Sequence, residues 1–114
     1  MSETLNIKAN RKSDVVVVTL EGSLDADTAP KLDKAISKLL ADGEHKIVCD
    51  LKSLKFISSA GLGTLSAARK KLKGADGDLR LASPTPEVLD VFELLSFTRI
   101  FTISPTLEEA LRHF

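Results

Sequence analysis

The stretch Phe56-Ile57-Ser58-Ser59-Ala60-Gly61-Leu62-Gly63-Thr64 decides how the surrounding chain is interpreted. The run before it, residues 47–51, is largely apolar and is typical of a buried strand. Apolar residues then return with the spacing of one helical face, at Leu62, Leu65, Ala68 and Leu72. The stretch is therefore predicted to be the junction at which a strand passes into a helix.

Two adjacent hydroxyl groups, those of Ser58 and Ser59, lie at this junction. The first N–H groups of a helix have no intrahelical partners and carry a positive partial charge. A serine at that position can cap the helix, and it can also carry a phosphate that those N–H groups stabilise. Gly61 and Gly63 would keep the first turn slim, so that a partner protein could approach the backbone closely. An N-cap followed by small packing residues explains the same pattern, and both interpretations stay open at this stage.

Composition indicates one globular domain over residues 1–114. The length matches a common domain size, and 43% of the residues are hydrophobic, which is enough to build a core. The 16 Lys and Arg residues balance the 16 Asp and Glu residues, and the five aromatic residues are all Phe. Because there is no basic excess and little aromatic surface, nucleic-acid binding is not expected.

The sequence has no pattern typical of an exported or membrane-spanning protein. Residues 1–4 lack the charged-then-apolar order of a signal peptide. No run approaches the roughly 20 apolar residues of a membrane helix. The single cysteine, Cys49, cannot form an intrachain disulfide and suits a reducing compartment. We expect a cytoplasmic protein that does not contact a membrane.

Hydrophobic periodicity divides the chain into strands and helices. Strands are predicted at residues 5–9, 15–20, 46–51, 79–82 and 100–103, and the first two are expected to form an antiparallel hairpin. Helices are predicted around residues 32–40, after Ser59, after Pro84 and after Thr106. The order β-β-α-β-α-β-α-β-α predicts an α/β fold, with a mixed, mostly parallel sheet and four helices. Periodicity leaves the strand order open.

Asp25 follows the second predicted strand much as Ser59 follows the third. Functional loops in open α/β sheets gather beyond the carboxyl ends of the parallel strands. Asp25 and Ser59 are therefore expected to lie side by side, although 34 positions separate them in the sequence. Asp27 is expected to cap the first helix, as short acidic side chains commonly do.

The residue patterns of common enzymes and metal sites are missing. There is no Gly-x-x-x-x-Gly-Lys-Ser/Thr loop and no Gly-x-Gly-x-x-Gly after the first strand. His45 and His113 stand apart from carboxylate or thiol clusters, so that no metal and no cofactor is expected. His45 precedes its strand and should lie across the sheet from Ser59, too far to serve as its base. Asp25 and Asp27 could be imagined as an acid and base pair, but the chain is not expected to be an enzyme.

Two separate motifs resemble the anti-sigma factor antagonist family, whose members have a STAS domain. In that family a strand ends in Asp-Leu, and Asp-Ser-Ser/Thr/Ala-Gly-Leu-Gly follows a few residues later. Here the strand ends at Asp50-Leu51 and residues 58–63 follow, with Ser59 at the position of the phosphorylated serine. Gly22-Ser23-Leu24-Asp25 is similar to the family's Gly-x-Leu/Ile-Asp. The similarity extends over residues 5–111.

The resemblance implies a protein that binds an anti-sigma factor serine kinase when unphosphorylated and releases it when Ser59 is phosphorylated, with a phosphatase resetting the cycle. The implied contact surface comprises Asp25, Ser58, Ser59, Ala60, Gly61, Leu62 and Gly63. One residue departs from the family pattern. Ser58 stands where Asp is usual, which removes a negative charge and makes Ser58 an alternative phosphate acceptor.

Two other functions fit the same residues. The chain could be a constitutive STAS interaction subunit, for instance of a lipid-transport ATPase, with Ser59 as unmodified contact surface. It could also bind a small ligand or nucleotide at the helix N-terminus. The partner captured from cells separates the first alternative from the kinase-linked function, and a nucleotide-dependent melting temperature tests the second.

Overall fold

The computed structural model describes residues 4–114. In chain order the elements are β1 (Leu5–Lys12), β2 (Val15–Leu24), α1 (Ala29–Ala41), β3 (Lys46–Asp50), β4 (Leu54–Ile57), α2 (Ser59–Gly74), β5 (Asp78–Ala82), α3 (Pro86–Leu94), a 3-10 helix (Phe97–Arg99), β6 (Ile103–Ser104) and α4 (Leu107–Arg112). The expectation that the chain begins without a signal pattern concerns mainly residues 1–3, which lie outside the described range.

The strands form one mixed sheet, in the order β1-β2-β3-β5-β6, with β4 also paired to β2. β1 and β2 are antiparallel, from Leu5 opposite Gly22 to Lys12 opposite Val15, which confirms the predicted hairpin. The other pairings, β2 with β3, β2 with β4, β3 with β5 and β5 with β6, are parallel. The predicted fold class, a mostly parallel sheet with four α-helices, is confirmed.

The valine run of β2 is continuous because helices cover both faces of the sheet. Val16 and Val18 belong to the main core, which also holds the apolar faces of α1, α2 and α3. Val15 points to the opposite face, where it belongs to a smaller cluster with Ala110 of α4. Three helices therefore pack on one face of the sheet and the short C-terminal helix on the other.

β4 is a strand that the predicted element order omitted. Only its end residues, Leu54 and Ile57, are buried, so that its burial does not alternate along the strand. The pairing shifts by one residue within β4, since Gly22 pairs with Leu54 but the next residue, Ser23, pairs with Phe56. Such a bulge breaks the period of two by which a strand is recognised. β4 leads directly into α2 and so sets where the serines lie.

Two other boundaries differ from the prediction. β2 continues to Leu24, so that residues 22–24 are strand and not loop. The last strand is Ile103–Ser104 and not residues 100–103. The aromatic ring of Phe101 explains the second difference, because it meets Phe92 edge-on at 5.8 Å and stacks on Phe97 at 6.5 Å. With its ring held in these contacts, Phe101 lies in a bend after the 3-10 helix, and the strand begins only at Ile103.

Basic residues near the end of α2 have a buried partner. The side chain of Asp78 is 8% exposed, and its carboxylate lies 3.2 Å from Arg69 Nε, 3.6 Å from Lys73 Nζ and 3.2 Å from Arg80 Nε. Its Oδ1 also accepts a hydrogen bond from the backbone N–H of Leu79 at 2.8 Å. Arg69 and Lys73 therefore help to neutralise a buried charge.

Candidate functional site

The two serines at the start of α2 have different structural roles. Ser58 is the N-cap, with extended backbone at φ −100° and ψ 171°, and its Oγ accepts a hydrogen bond from the Gly61 N–H at 3.2 Å. Ser59 is the first residue of the helix, and its side chain is exposed. The cap predicted from the sequence is thus supplied by Ser58, which leaves the Ser59 hydroxyl at the surface.

Only some of the residues predicted to contact a partner lie at the surface. Ser59, Ala60 and Gly63 are exposed, and no atom lies within 4 Å of the position that a Cβ on Gly63 would occupy. Leu62, in contrast, is fully buried in the main core.

Gly61 is buried for a different reason. A Cβ at this position would lie 2.6 Å from the carbonyl oxygen of Leu24 and 2.8 Å from Leu24 Cγ. The expectation that Gly61 and Leu62 belong to the contact surface is therefore corrected. These two residues anchor the first turn of α2 against β2, and the exposed residues around them keep their fixed positions as a result.

The loops after β2 and β4 lie side by side, as the sequence predicted. Leu24 is opposite Ile57 in the strand pairing, and the backbone N–H of Ser58 donates to the Leu24 carbonyl at 2.9 Å. Asp25 and Ser58 are therefore the residues that leave two neighbouring parallel strands. A single backbone hydrogen bond joins the loop of Asp25 to the N-cap of α2.

The side chain of Asp25 organises its own loop. Its Oδ1 accepts hydrogen bonds from the backbone N–H groups of Asp27 at 2.9 Å and Thr28 at 3.0 Å. The Thr28 hydroxyl accepts from the Asp25 N–H at 3.0 Å and donates to the Ser23 carbonyl at 2.8 Å. The expectation that Asp27 caps α1 is corrected, because Asp25 satisfies the N–H groups that precede this helix.

The electrostatic setting of the site favours an anion. The first turn of α2 contains no acidic residue of its own, and the carboxylate of the neighbouring Asp25 accepts hydrogen bonds from the backbone of its own loop, so that the partial positive charge of the helix N–H groups remains at the site. Sequence reasoning did not identify Phe56, which lies three residues before Ser59 and has an exposed fraction of 51%. An aromatic residue in a strand is normally predicted to belong to the core, so that its position at the surface is known only from the structure.

His45 cannot act as a base for Ser59, because the two residues lie at opposite ends of the sheet. His45 lies at the amino end of the sheet, where its carbonyl accepts from the N–H of Asp78, the first residue of β5. Ser58 and Ser59 follow the carboxyl end of β4, so that the predicted separation of His45 from Ser59 is confirmed. Burial raises the pKa of the Cys49 thiol to about 12, with the nearby Asp50 carboxylate adding to the effect, and such a thiol is a poor nucleophile.

Residues 4–114 contain neither a metal-binding cluster nor a helix that could span a membrane. No group of three or more His, Cys, Asp or Glu side chains is arranged to hold a metal ion. None of the helices in this part of the chain has the length and apolar character needed to cross a membrane.

Comparison with known proteins gives relatives along nearly the whole chain. An anti-sigma factor antagonist from Mycobacterium paratuberculosis, solved as a crystal structure, is 30% identical, with a TM-score of 0.87 and coverage of 96% of this chain and 92% of that one. The anti-sigma-F factor antagonist RsfB of Mycobacterium tuberculosis is 26% identical over 109 residues, which cover 96% of this chain and 88% of RsfB.

The structure of the anti-sigma factor antagonist SpoIIAA in its unphosphorylated form is similar, with 25% identity, a TM-score of 0.80 and coverage of 95% of each chain. SpoIIAA from Bacillus has also been solved in a phosphorylated form. The sequence model of the STAS domain matches residues 6–110. Together with the sheet order and the serine junction described above, this match shows that the chain belongs to the STAS domain family.

Proposed function

We propose that this protein is a cytoplasmic anti-sigma factor antagonist that binds an anti-sigma factor serine kinase and is released when that kinase phosphorylates Ser59. The observation that carries the proposal is the exposed Ser59 hydroxyl at the first position of α2, beside the loop of Asp25. Relatives with the name of anti-sigma factor antagonists support it, as does the existence of SpoIIAA in two phosphorylation states. The protein is then a substrate and a binding partner, not a catalyst.

The proposed contact surface combines exposed and half-buried residues at the carboxyl ends of β2 and β4. Ser59, Ala60 and Gly63 are its exposed members, while Ser58 and Asp25 are half-buried. Because Gly63 has open space around it, a partner backbone can approach the first turn of α2 without meeting a side chain. A cognate phosphatase would restore the binding form.

Ser59 is the better phosphate acceptor of the two serines. The Ser58 oxygen already accepts the Gly61 N–H, and loss of an N-cap costs about 0.5–2 kcal/mol of stability. Among residues 4–114 the Ser59 hydroxyl caps no helix, so that its modification does not remove a cap. Although Ser58 replaces the usual aspartate, only the Ser58 hydroxyl is used to cap the helix, and the Ser59 hydroxyl is not.

The charge of the phosphate explains how the switch would work. A phosphoserine carries about −1.5 to −2 charges at neutral pH. At the N-terminus of α2 the helix dipole favours an anion by about 0.3–1 kcal/mol, so that the free domain tolerates it. In the middle of a protein contact the same group is a desolvated, unpaired charge, which costs several kcal/mol of affinity.

Mass spectrometry of the protein purified from its native cells, together with identification of the protein that it binds there, tests the proposal. We expect phosphate on Ser59 and a partner with a histidine-kinase-like ATPase domain. Ser59→Ala should keep the partner but take up no phosphate, whereas the matched Ser58→Ala variant should still be phosphorylated. Recovery of a transporter ATPase, with neither serine modified, would instead favour the constitutive-subunit function.

A further inference from the structure

A groove of about 500 Å³ runs between the edge strand β1 and the flank of α1. Its apolar surface is supplied by Ile7 of β1 and Leu39 of α1, above the fully buried Val18 of β2. Ala9 and Ala35 also line it, one on the strand and one on the helix. These two side chains are the smallest apolar ones, and larger residues at both positions would fill the gap between strand and helix. The volume lies within the usual range of small-ligand pockets.

Cationic side chains border the groove on the side of α1. One face of α1 presents Lys31, Ala35 and Lys38 at helical spacing. The two lysines therefore flank the small side chain of Ala35. Lys31 Nζ donates one hydrogen bond to the Leu5 carbonyl at 2.5 Å, which leaves two of its three donors free. Lys38 has no ion pair within residues 4–114. Asp42 lies one turn beyond Lys38 at the end of the groove, so that the border keeps a net positive charge.

We infer that this groove binds an aliphatic monocarboxylate, of the kind represented by a medium-chain fatty acid anion. The carboxylate would lie over Ala35 between the two ammonium groups, and the tail would cover Ile7 and Leu39. The side chains that form the groove are aliphatic, with no aromatic ring on which a nucleotide base could stack. The groove lies on α1 and β1 and is lined by none of the residues of the proposed contact surface, so that the inference does not depend on the proposed function.

Titration of the isotopically labelled protein with decanoate, below its critical micelle concentration, tests the inference by NMR. We expect saturable shifts of the amides around Ala9 and Ala35, with a dissociation constant on the order of 1 mM for a ligand of this size. Ala35→Leu should fill the groove and abolish the shifts. The matched Ala67→Leu variant, at an exposed position of α2, should bind as the wild type does.

Charge is tested separately from shape. Lys38→Glu should weaken decanoate binding about two- to fivefold, while Lys70→Glu, an exposed lysine of α2, should leave it unchanged. Decylammonium, with the same tail and the opposite charge, should bind more weakly than decanoate. If Ala35→Leu does not fold, Ala9→Leu fills the groove from the strand side. Unsaturable shifts, or equal binding by the groove-filling variant or by decylammonium, would overturn the inference.

Discussion

Two glycines of α2 that are two positions apart should respond in opposite ways to the same substitution. Gly61 and Gly63 both lie in the first turns of the helix, and neither has a positive φ. A Cβ on Gly61 would lie 2.6 Å from the Leu24 oxygen and 3.1 Å from the Leu24 carbonyl carbon. Both are backbone atoms of a buried strand and cannot rotate away. A Cβ on Gly63 would meet nothing within 4 Å.

The magnitudes follow from two opposing terms. Alanine is favoured over glycine inside a helix by about 0.8–1 kcal/mol, because it loses less backbone entropy on folding. Overpacking against a rigid core costs about 1–3 kcal/mol. Gly63→Ala should therefore raise the free energy of unfolding by about 0.5–1 kcal/mol, since only the first term applies. Gly61→Ala should lower it by about 1–2 kcal/mol, since the second term exceeds the first.

Urea unfolding, followed by circular dichroism at constant protein concentration, measures both changes in the free energy of unfolding. In thermal melts the Gly61→Ala variant should lose about 4–8 °C, while Gly63→Ala should gain a few degrees. The slope of the urea transition should stay the same, because neither change alters the surface exposed on unfolding. If Gly61→Ala proves as stable as Gly63→Ala, α2 does not pack on Leu24 as described, and the assignment of Gly61 to the interior is wrong.

Four further predictions address single residues, each checked by one measurement. Asp25→Ala should cost about 1–2 kcal/mol in urea unfolding because two N–H groups lose their acceptor, whereas Asp25→Asn, which keeps an acceptor oxygen, should cost much less. Ser58→Asp should raise the free energy of unfolding by about 0.3–1 kcal/mol at pH 7 and lose this gain when the carboxylate is protonated at low pH. Asp78→Ala should cost about 1–3 kcal/mol, since it leaves the half-buried Arg69 and Arg80 without a counter-charge, and an unchanged melting temperature would contradict this. The Cys49 thiol, with its pKa raised to about 12, should react with a disulfide reagent at pH 8 only at the rate of unfolding, and rapid labelling of the native protein would disprove its burial.

Local patterns were sufficient to predict most elements and the meeting of the two loops. The apolar positions of α1 and α2 repeat at helical spacing, and Leu32, Ile36, Leu62 and Leu65 are fully or almost fully buried as that spacing requires. The juxtaposition of Asp25 with Ser58 follows from a general property of parallel sheets, since the strands β2 and β4 end at the same edge. These features depend on short-range periodicity or on chain direction alone.

The features that the sequence did not reveal depend on contacts between distant parts of the chain. The sequence gives no reason to treat Gly61 and Gly63 differently. Only the position of Leu24 distinguishes the buried glycine from the exposed one. Asp25 and Asp27 are equally suited to a turn, and the backbone geometry of the loop selects Asp25 as the acceptor. β4 escaped prediction because its bulge at Lys55 and Phe56 removes the alternation of buried and exposed residues.

The anchoring of α2 favours a switch that acts on the partner and not on the fold. Leu62 is fully buried, and Gly61 packs against the backbone of Leu24. Ser58 is hydrogen-bonded both to Leu24 and to Gly61. Interiors packed in this way rearrange between discrete states and do not deform gradually. A phosphate on the exposed Ser59 should therefore not shift α2 by a small amount. Its charge would remain at the surface, at the positive end of the helix. The phosphorylated domain should then melt at the same temperature as the unmodified one or slightly higher, while its affinity for the kinase falls steeply. A large loss of melting temperature on phosphorylation would show that Ser59 acts through the core after all.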